Sequence, residues 1–506
     1  MRRDLAAALS LANLAFLEVW FELVFMPGSS TYFLGAPRQR ADYVAVIADV
    51  LLVTAAIFVG MRLLRRLEGW PRAAARLLFL LILLIPLNAR RLNVKLPFGV
   101  GRLWHWVTLG GHQRPAALVV VLGLVILVRW HRAPSRWAYV LLLVLSPFAL
   151  LTLGRAATSA LGLGPRDAFT NPALAPALPV GDPGAPRVLW LLFDELDESI
   201  IASRRPPGLS LPELDRLRSE TFHATNASSP AAVTLLSLPA LLSGRPVLGA
   251  EPRGPAELQI TFAGEGAPLS WSAAPNVFCD ARADGFNTTL VGWYHPYCRM
   301  LAGCLTHCSF EPVYTTVVDR AEHEALGDRM AEDALAVLPV NGRRLAIRSY
   351  GRVRAQALQA ASDPAPGLAF VHFPIPHVPA IYDRAGGRLT TTRPSHLAGY
   401  VDNVALVDRT LGELRRTMEA RGLWDRTTVL VTADHAWRES WAFDGRTDRE
   451  VPFLLKLAGP PIAREYSSPF NTVLTRELVL AILRREVASP GDVAAWIDAR
   501  RAAPPL

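Results

Sequence analysis

The 506 residues carry 53 Lys plus Arg against 44 Asp plus Glu, a formal net charge of +9, with 51% hydrophobic and only 19% charged residues. So apolar a composition excludes an intrinsically disordered chain, and the length allows more than one folded unit. The positive charge is scattered and nearly all arginine, Lys95 and Lys456 being the only lysines, so no basic stripe points to a nucleic-acid partner and none is expected.

Taken from the N-terminus, apolar stretches run over residues 5–26, 43–64, 73–87, 115–128 and 137–153, with Trp or Arg at several ends. They predict a bundle of about five transmembrane helices over residues 1–157. The third and fourth are short for a hydrocarbon core about 30 Å thick, so either is open to a re-entrant reading. An odd number of crossings with the N-terminus inside puts everything after Leu153 outside the cytoplasm. Arg2, Arg3 and the loops with Arg65, Arg66, Arg72 and with Arg129, Arg132, Arg136 favour that orientation, although the loop with Arg90, Arg91, Lys95 and Arg102 is basic too. The first apolar run is long and no small-residue cleavage site follows, so it reads as an anchor. Glu18 and Glu22 lie one helical turn apart with Asp49 at a comparable depth, expensive in lipid unless they meet a polar partner. A lipid head group and nearby arginines are the two candidates.

Residues 158–186 are rich in Pro, Ala and Gly and read as a linker. Residues 187–488 are long enough for one large core, and 489–506 form a C-terminal tail. Within the core region, short β-rich apolar runs at 188–193, 287–292, 368–373, 427–432 and 453–457 alternate with helical patterns such as 401–421. That alternation predicts an α/β domain with a largely parallel sheet. Ligands gather beyond the carboxyl ends of such strands, where Asp194, His377, Asp434 and His435 fall. All four cysteines, Cys279, Cys298, Cys304 and Cys308, lie in this domain. They predict disulfides in an oxidising compartment; the alternative, a zinc knuckle, lacks a paired Cys-x2-Cys. Together with the spans, this predicts a multi-pass protein of the cell membrane with its catalytic domain on the outer side.

Four segments end apolar runs with metal- or phosphate-seeking side chains: Asp194-Glu195, Thr234-Leu-Leu-Ser-Leu-Pro, His372-x4-His377 and Asp434-His435. They read as one divalent-metal site around a threonine nucleophile, because a cation lowers the pKa of a hydroxyl and neutralises charge on transferring oxygens. Asp194, Thr234, Asp434 and His435 are the expected ligands. Glu195 is either a second carboxylate ligand or faces solvent. His377 and His372 are placed to steady phosphoryl oxygens or shuttle protons, and His295 either joins them or packs against the cysteine cluster. Oxygen plus imidazole donors favour Zn or Mn. Each residue also has a plainer reading: a Thr in an apolar helix is commonly structural, and an Asp after a strand caps turns.

From residue 187 to about 459 these motifs resemble the alkaline phosphatase and sulfatase superfamily. Asp194 stands where the family has its first metal carboxylate, and Gly-Leu-Trp-Asp-Arg-Thr-Thr-Val-Leu-Val-Thr-Ala-Asp434-His435 looks like its late metal signature. Gly292-Trp-Tyr-His295 resembles the sulfatase Gly-Lys-Trp-His element. Setting Leu241-Leu242-Ser243-Gly244-Arg245 on the sulfatase Leu-Leu-Thr-Gly-Arg ending puts Thr234 at the nucleophile position. Matching Ser237 and Pro239 to the Thr-Ala-x-Ser-x-Pro of phosphoethanolamine transferases gives Thr234 again. A formylglycine sulfatase needs Cys or Ser there with its Pro and Arg, whereas this chain has Thr234, Leu236 and Leu238, and Trp293 replaces the sulfate-contacting lysine. The Asp-His-Gly-Glu-Ser of the transferases stands here as Asp434-His435-Ala436-Trp437-Arg438-Glu439-Ser440. The resemblance implies an alkaline phosphatase-like domain and a membrane-anchored, metal-dependent enzyme acting on phosphate esters of an envelope lipid or glycan. A sulfuric ester hydrolase without formylglycine and a catalytically inactive binding relative are the alternatives.

Overall fold

The computed structural model describes residues 1–26, 28–69, 71, 74, 77–79, 132–164, 169, 172–179, 184–313, 324–338, 341–392, 397–447 and 449–501. They divide into two compact units, one of Met1–Met26, Ala36–Asp167 and Thr315–Asn341, the other of Pro27–Gly35, Ala168–Tyr314 and Gly342–Leu506.

In the first unit, α1 (Arg2–Ala15), α2 (Arg40–Leu64) and α3 (Arg132–Ala160) are apolar helices. Among the described residues two helices are long and apolar enough to cross a membrane, Arg40–Leu64 and Ala133–Ala160. At 1.5 Å per residue the first extends about 37 Å, more than a hydrocarbon core requires. A third candidate is α1 continued by Leu17–Phe25, bent by 69° at a break at Phe16. Five spans are therefore not established. The expected span at 73–87 lies largely outside the described residues, and the one at 115–128 wholly so. Several polar groups inside this unit are paired: Tyr139 donates to Asp4 Oδ1 at 2.8 Å, Thr152 to Asn13 Oδ1 at 2.6 Å, and the buried Arg329 to Asp42 Oδ1 at 2.5 Å. Glu22 and Asp49 are buried.

The second unit is built on an eight-stranded sheet. Its strands are β1 (Val188–Phe193), β2 (Phe222–Ala224), β3 (Thr288–Trp293), β4 (His307–Glu311), β5 (Leu368–Phe373), β6 (Thr428–Thr432), β7 (Phe453–Lys456) and β8 (Arg464–Tyr466). The order across the sheet is β8-β2-β7-β6-β1-β5-β3-β4. All neighbours pair in parallel except β7, which runs against both β6 and β2. The expected largely parallel α/β sheet is thus present, with one reversed strand. β1 is apolar and buried throughout, the pattern of a strand covered on both faces. Its residues alternate: Val188, Trp190 and Leu192 pack into one core with Leu238, Leu241 and Leu242 of α4 (Thr234–Ser243), while Leu189, Leu191 and Phe193 pack into the other. That second core is closed by α5 (Asn341–Ser362) and α6 (Leu397–Ala420), through residues such as Val353, Ala357, Val404 and Leu411.

Two disulfides, Cys279–Cys304 and Cys298–Cys308, tie the connection between β3 and β4 to the helix before β3 and to β4 itself, and account for all four cysteines. Part of the expected linker is docked on this unit, with Ala175 N–H donating to Leu305 O at 2.9 Å and Leu178 exchanging two hydrogen bonds with the Asn287 amide. The expected C-terminal tail carries a helix, Pro490–Arg501, which buries Val493, Ala494 and Ile497.

Candidate active site

The parallel pairing of β1 with β5 and β6 sets Leu192 level with His372 and Thr432, so the chain leaves all three strands at one edge of the sheet. Asp194 follows β1, His372 is the penultimate residue of β5, and Asp434 and His435 follow β6. Thr234 opens α4, after an extended Val233 and before a helix that ends on Gly244 in the left-handed region, φ 71°. Five of the expected site side chains, from four separate segments, therefore meet beyond the carboxyl ends of the central strands.

Asp194, His372 and Asp434 each offer one ligand atom within 4.8 Å of the others, and all three are buried. Asp194 Oδ1, His372 Nε2 and Asp434 Oδ2 have no hydrogen-bond partner. Buried orphan acceptors converging on one point are costly, and a divalent cation satisfies all three at once. The donor set fits such an ion. The Thr234 hydroxyl adjoins the cluster, with Oγ1 3.5 Å from Asp194 Oδ2 and 3.3 Å from His435 Nε2. His435 Nε2 is also 3.3 Å from Asp434 Oδ2 and 3.9 Å from Asp194 Oδ1. The His435 Nδ1–H donates to Ala436 O at 2.9 Å, which turns Nε2 toward the hydroxyl. On the far side of His372, the Tyr297 hydroxyl lies 3.0 Å from Nδ1.

Charges in this cluster are strongly coupled. Burial alone would raise the Asp194 carboxyl, but His377, His372 and His435 around it bring it down to about 2. Burial and the neighbouring Asp194 charge push Asp434 up. Burial disfavours the His435 imidazolium, yet the Asp434 and Asp194 charges raise its pKa overall. Two carboxylates and an imidazole competing for one proton are the electrostatic surroundings that a cation replaces.

The remaining expected site residues are placed differently. Glu195 points away from the cluster and pairs with Arg438 Nε. Glu195 sits in the left-handed region, φ 66°, a strained conformation for a non-glycine residue. Its N–H donates to Asp434 Oδ1 at 3.2 Å and its carbonyl accepts from Tyr400 at 2.7 Å, which holds the turn. His377 accepts at Nε2 from Arg438 at 2.8 Å and donates from Nδ1 to Val378 O at 2.6 Å. The loop bearing it is held by Asn403, whose amide donates to Pro376 O, His377 O and Pro379 O. His295 lies wholly buried among Trp271, Tyr294 and Tyr297 and faces the main chain of Thr234 rather than the donor cluster. Burial depresses its pKa to about 3.

Arg438 was not among the expected residues. It is the guanidinium at the mouth, half exposed and shared between Glu195 and His377. Burial lowers its pKa, but the Glu195 charge more than offsets that. A cation three residues past a metal-type Asp-His was visible in the sequence, but nothing there said that it would pair with Glu195 and His377.

The sulfatase family model matches residues 186–438, half of the chain, and the protein belongs to the sulfatase family. Comparison with curated proteins gives no match. Among solved structures the chain is similar to the phosphonate monoester hydrolase of Agrobacterium radiobacter, at 16% identity and a TM-score of 0.38 over 59% of this chain and 74% of that one. It is also similar to a protein of the alkaline phosphatase superfamily from Vibrio parahaemolyticus, at 14% identity and a TM-score of 0.39 over 62% and 71%. A 2-O GAG sulfatase matches at 14% identity and a TM-score of 0.39 over 63% and 76%. Similarity at this level carries no inference about activity.

Proposed function

We propose that the protein is a membrane-anchored, metal-dependent enzyme that cleaves or transfers phosphate esters of an envelope lipid or glycan through Thr234. The observation that carries this reading is the Thr234 hydroxyl, 3.5 Å from Asp194 and 3.3 Å from His435, beside three buried donor atoms without partners. Asp194, Asp434, His372 and His435 would hold the divalent ion, with Zn or Mn suited to that mixture of oxygen and nitrogen. When bound, the ion supplies a lowered hydroxyl pKa and charge neutralisation on the transferring oxygens.

Thr234 Oγ1, its proton lost to water, attacks phosphorus in line with the leaving oxygen. The Oγ1–P bond forms, the bond to the leaving oxygen breaks, and a phosphothreonine results. Arg438 and the adjoining His377 face the outer side of the site and are placed to hold the non-bridging oxygens. A hydroxyl of the acceptor, or water, then attacks the phosphothreonine and restores Thr234. The two candidate spans and the disulfides support an anchored chain whose catalytic unit lies outside the cytoplasm.

The family match favours a second reading, sulfate ester hydrolysis, though position 234 lacks the Cys or Ser that matures to formylglycine. The purified full chain, loaded with Zn or Mn, separates the two with bis(p-nitrophenyl) phosphate and p-nitrophenyl sulfate. We expect the phosphate diester to be cleaved, with T234A losing at least about a thousandfold in kcat and T234S keeping part of it. Activity confined to the sulfate ester, or surviving in T234A, would sink the proposal.

A further inference from the structure

Gly28–Phe33, a short 3-10 run between the first two N-terminal helices, lies far upstream of the family match yet folds into the sheet-bearing unit. Tyr32 and Leu34 are fully buried there. The buried Arg299 donates from Nη2 to Tyr32 O at 3.2 Å and to Leu34 O at 2.6 Å, which fixes the backbone of the segment. The Phe33 ring meets Tyr294 edge-on at 5.4 Å.

The Tyr32 hydroxyl lies 2.6 Å from His295 Nδ1, and His295 Nε2 lies 3.3 Å from the main-chain oxygen of Thr234. A carbonyl oxygen only accepts, so Nε2 carries the ring proton and Nδ1 accepts from the Tyr32 O–H. The Thr234 carbonyl thus fixes the proton on Nε2, and the Tyr32 O–H fills the remaining ring nitrogen, so the ring that reaches Thr234 is anchored from behind by a side chain from outside the matched domain. We propose that Tyr32 is a positioning residue for Thr234, acting through His295 to hold the first turn of α4 and hence the direction of the Thr234 hydroxyl.

This inference rests on the reading of Thr234 as nucleophile. Pro239 removes a hydrogen bond within α4, so the start of the helix depends more on outside contacts than an unbroken helix would. Without the Tyr32 O–H, Nδ1 is left as a buried acceptor with no donor and the ring loses its rear anchor, so its aim at Thr234 O is less well fixed. A chain beginning at residue 187 would lack this support even though it contains the whole family match.

The test uses the full chain with bis(p-nitrophenyl) phosphate and the variants Y32F, H295Q and H295L. Y32F keeps the ring and its packing and removes only the hydroxyl. Glutamine at 295 keeps an N–H donor toward Thr234 O, and leucine removes it. We expect kcat to fall about tenfold or more in Y32F and H295L with KM within about twofold, and H295Q to recover most of the loss, because small displacements of a reacting atom act on kcat. If H295L does not fold, the pair Y32F and H295Q still decides. Normal kcat in Y32F, or equal losses in H295Q and H295L, would overturn the proposal. An inactive T234A beside an unaffected Y32F removes this inference alone, whereas an active T234A removes the nucleophile reading beneath it.

Discussion

Replacing Tyr297 with Phe isolates the support behind the cation cluster. The Tyr297 hydroxyl and His372 Nδ1 are 3.0 Å apart and both side chains are fully buried. For His372 Nε2 to serve a cation its lone pair must be free, so the proton sits on Nδ1 and the Tyr297 oxygen accepts it. In Y297F that N–H has no acceptor. The cation-free protein escapes by moving the proton to Nε2, which already lies 3.8 Å from Asp194 Oδ2. Cation binding must then reverse the move and bury an unsatisfied N–H, at about 1–3 kcal/mol. That corresponds to roughly a 10- to 100-fold weaker affinity, in the range found when a ligand's supporting hydrogen bond is removed. Titration of the purified full chain with Zn or Mn, followed by calorimetry, measures it directly. Affinity within twofold of the parent would refute the assignment of His372 to the donor set.

Other perturbations reach different parts of the account. A Cβ on Gly292 would lie 2.4 Å from the Tyr297 ring, so G292A should cost about 1–3 kcal/mol in thermal unfolding and weaken cation binding as Y297F does. R438M should raise KM for the phosphate diester about tenfold or more, with a smaller effect on kcat, if the guanidinium binds substrate oxygens; steady-state kinetics on the cation-loaded protein checks this. Asp408, whose Oδ1 accepts from Leu214 N–H at 2.8 Å, is raised by burial from 3.8 to about 6. The folded state then binds the proton more tightly than the unfolded one, so stability falls as pH rises between those values. D408N should therefore gain about 1–3 kcal/mol at pH 7, less as pH falls through 6, and nothing below 3.8, by denaturant titration across pH.

β1, β3, β5, β6 and β7 were legible as short buried apolar runs, the expected 188–193 and 368–373 coinciding with β1 and β5, whereas β2, β4 and β8 were not expected, being only three residues long or rich in polar, partly exposed side chains. His372 stood out as the one imidazole in such a run. Its convergence with two carboxylates depends on the register of β5 against β1, which no local pattern encodes. Asp194 and Glu195 looked alike in sequence, and only the left-handed turn at Glu195 separates the one facing the cluster from the one facing Arg438. Tyr32 carried no signal at all, since its partner His295 is 263 residues away. The C-terminal helix was missed because its apolar face is short and flanked by charge. The late stretch from Thr428 to His435 was readable because strand, turn and metal-type side chains are contiguous there.

The most direct test is to quench the cation-loaded full chain during turnover of a phosphate diester and map its peptides by mass spectrometry. A phosphoryl-derived mass on Thr234, absent from T234A and from protein stripped of metal, is the expected result. Turnover with no adduct on Thr234, or an adduct carried by another residue, would contradict the account.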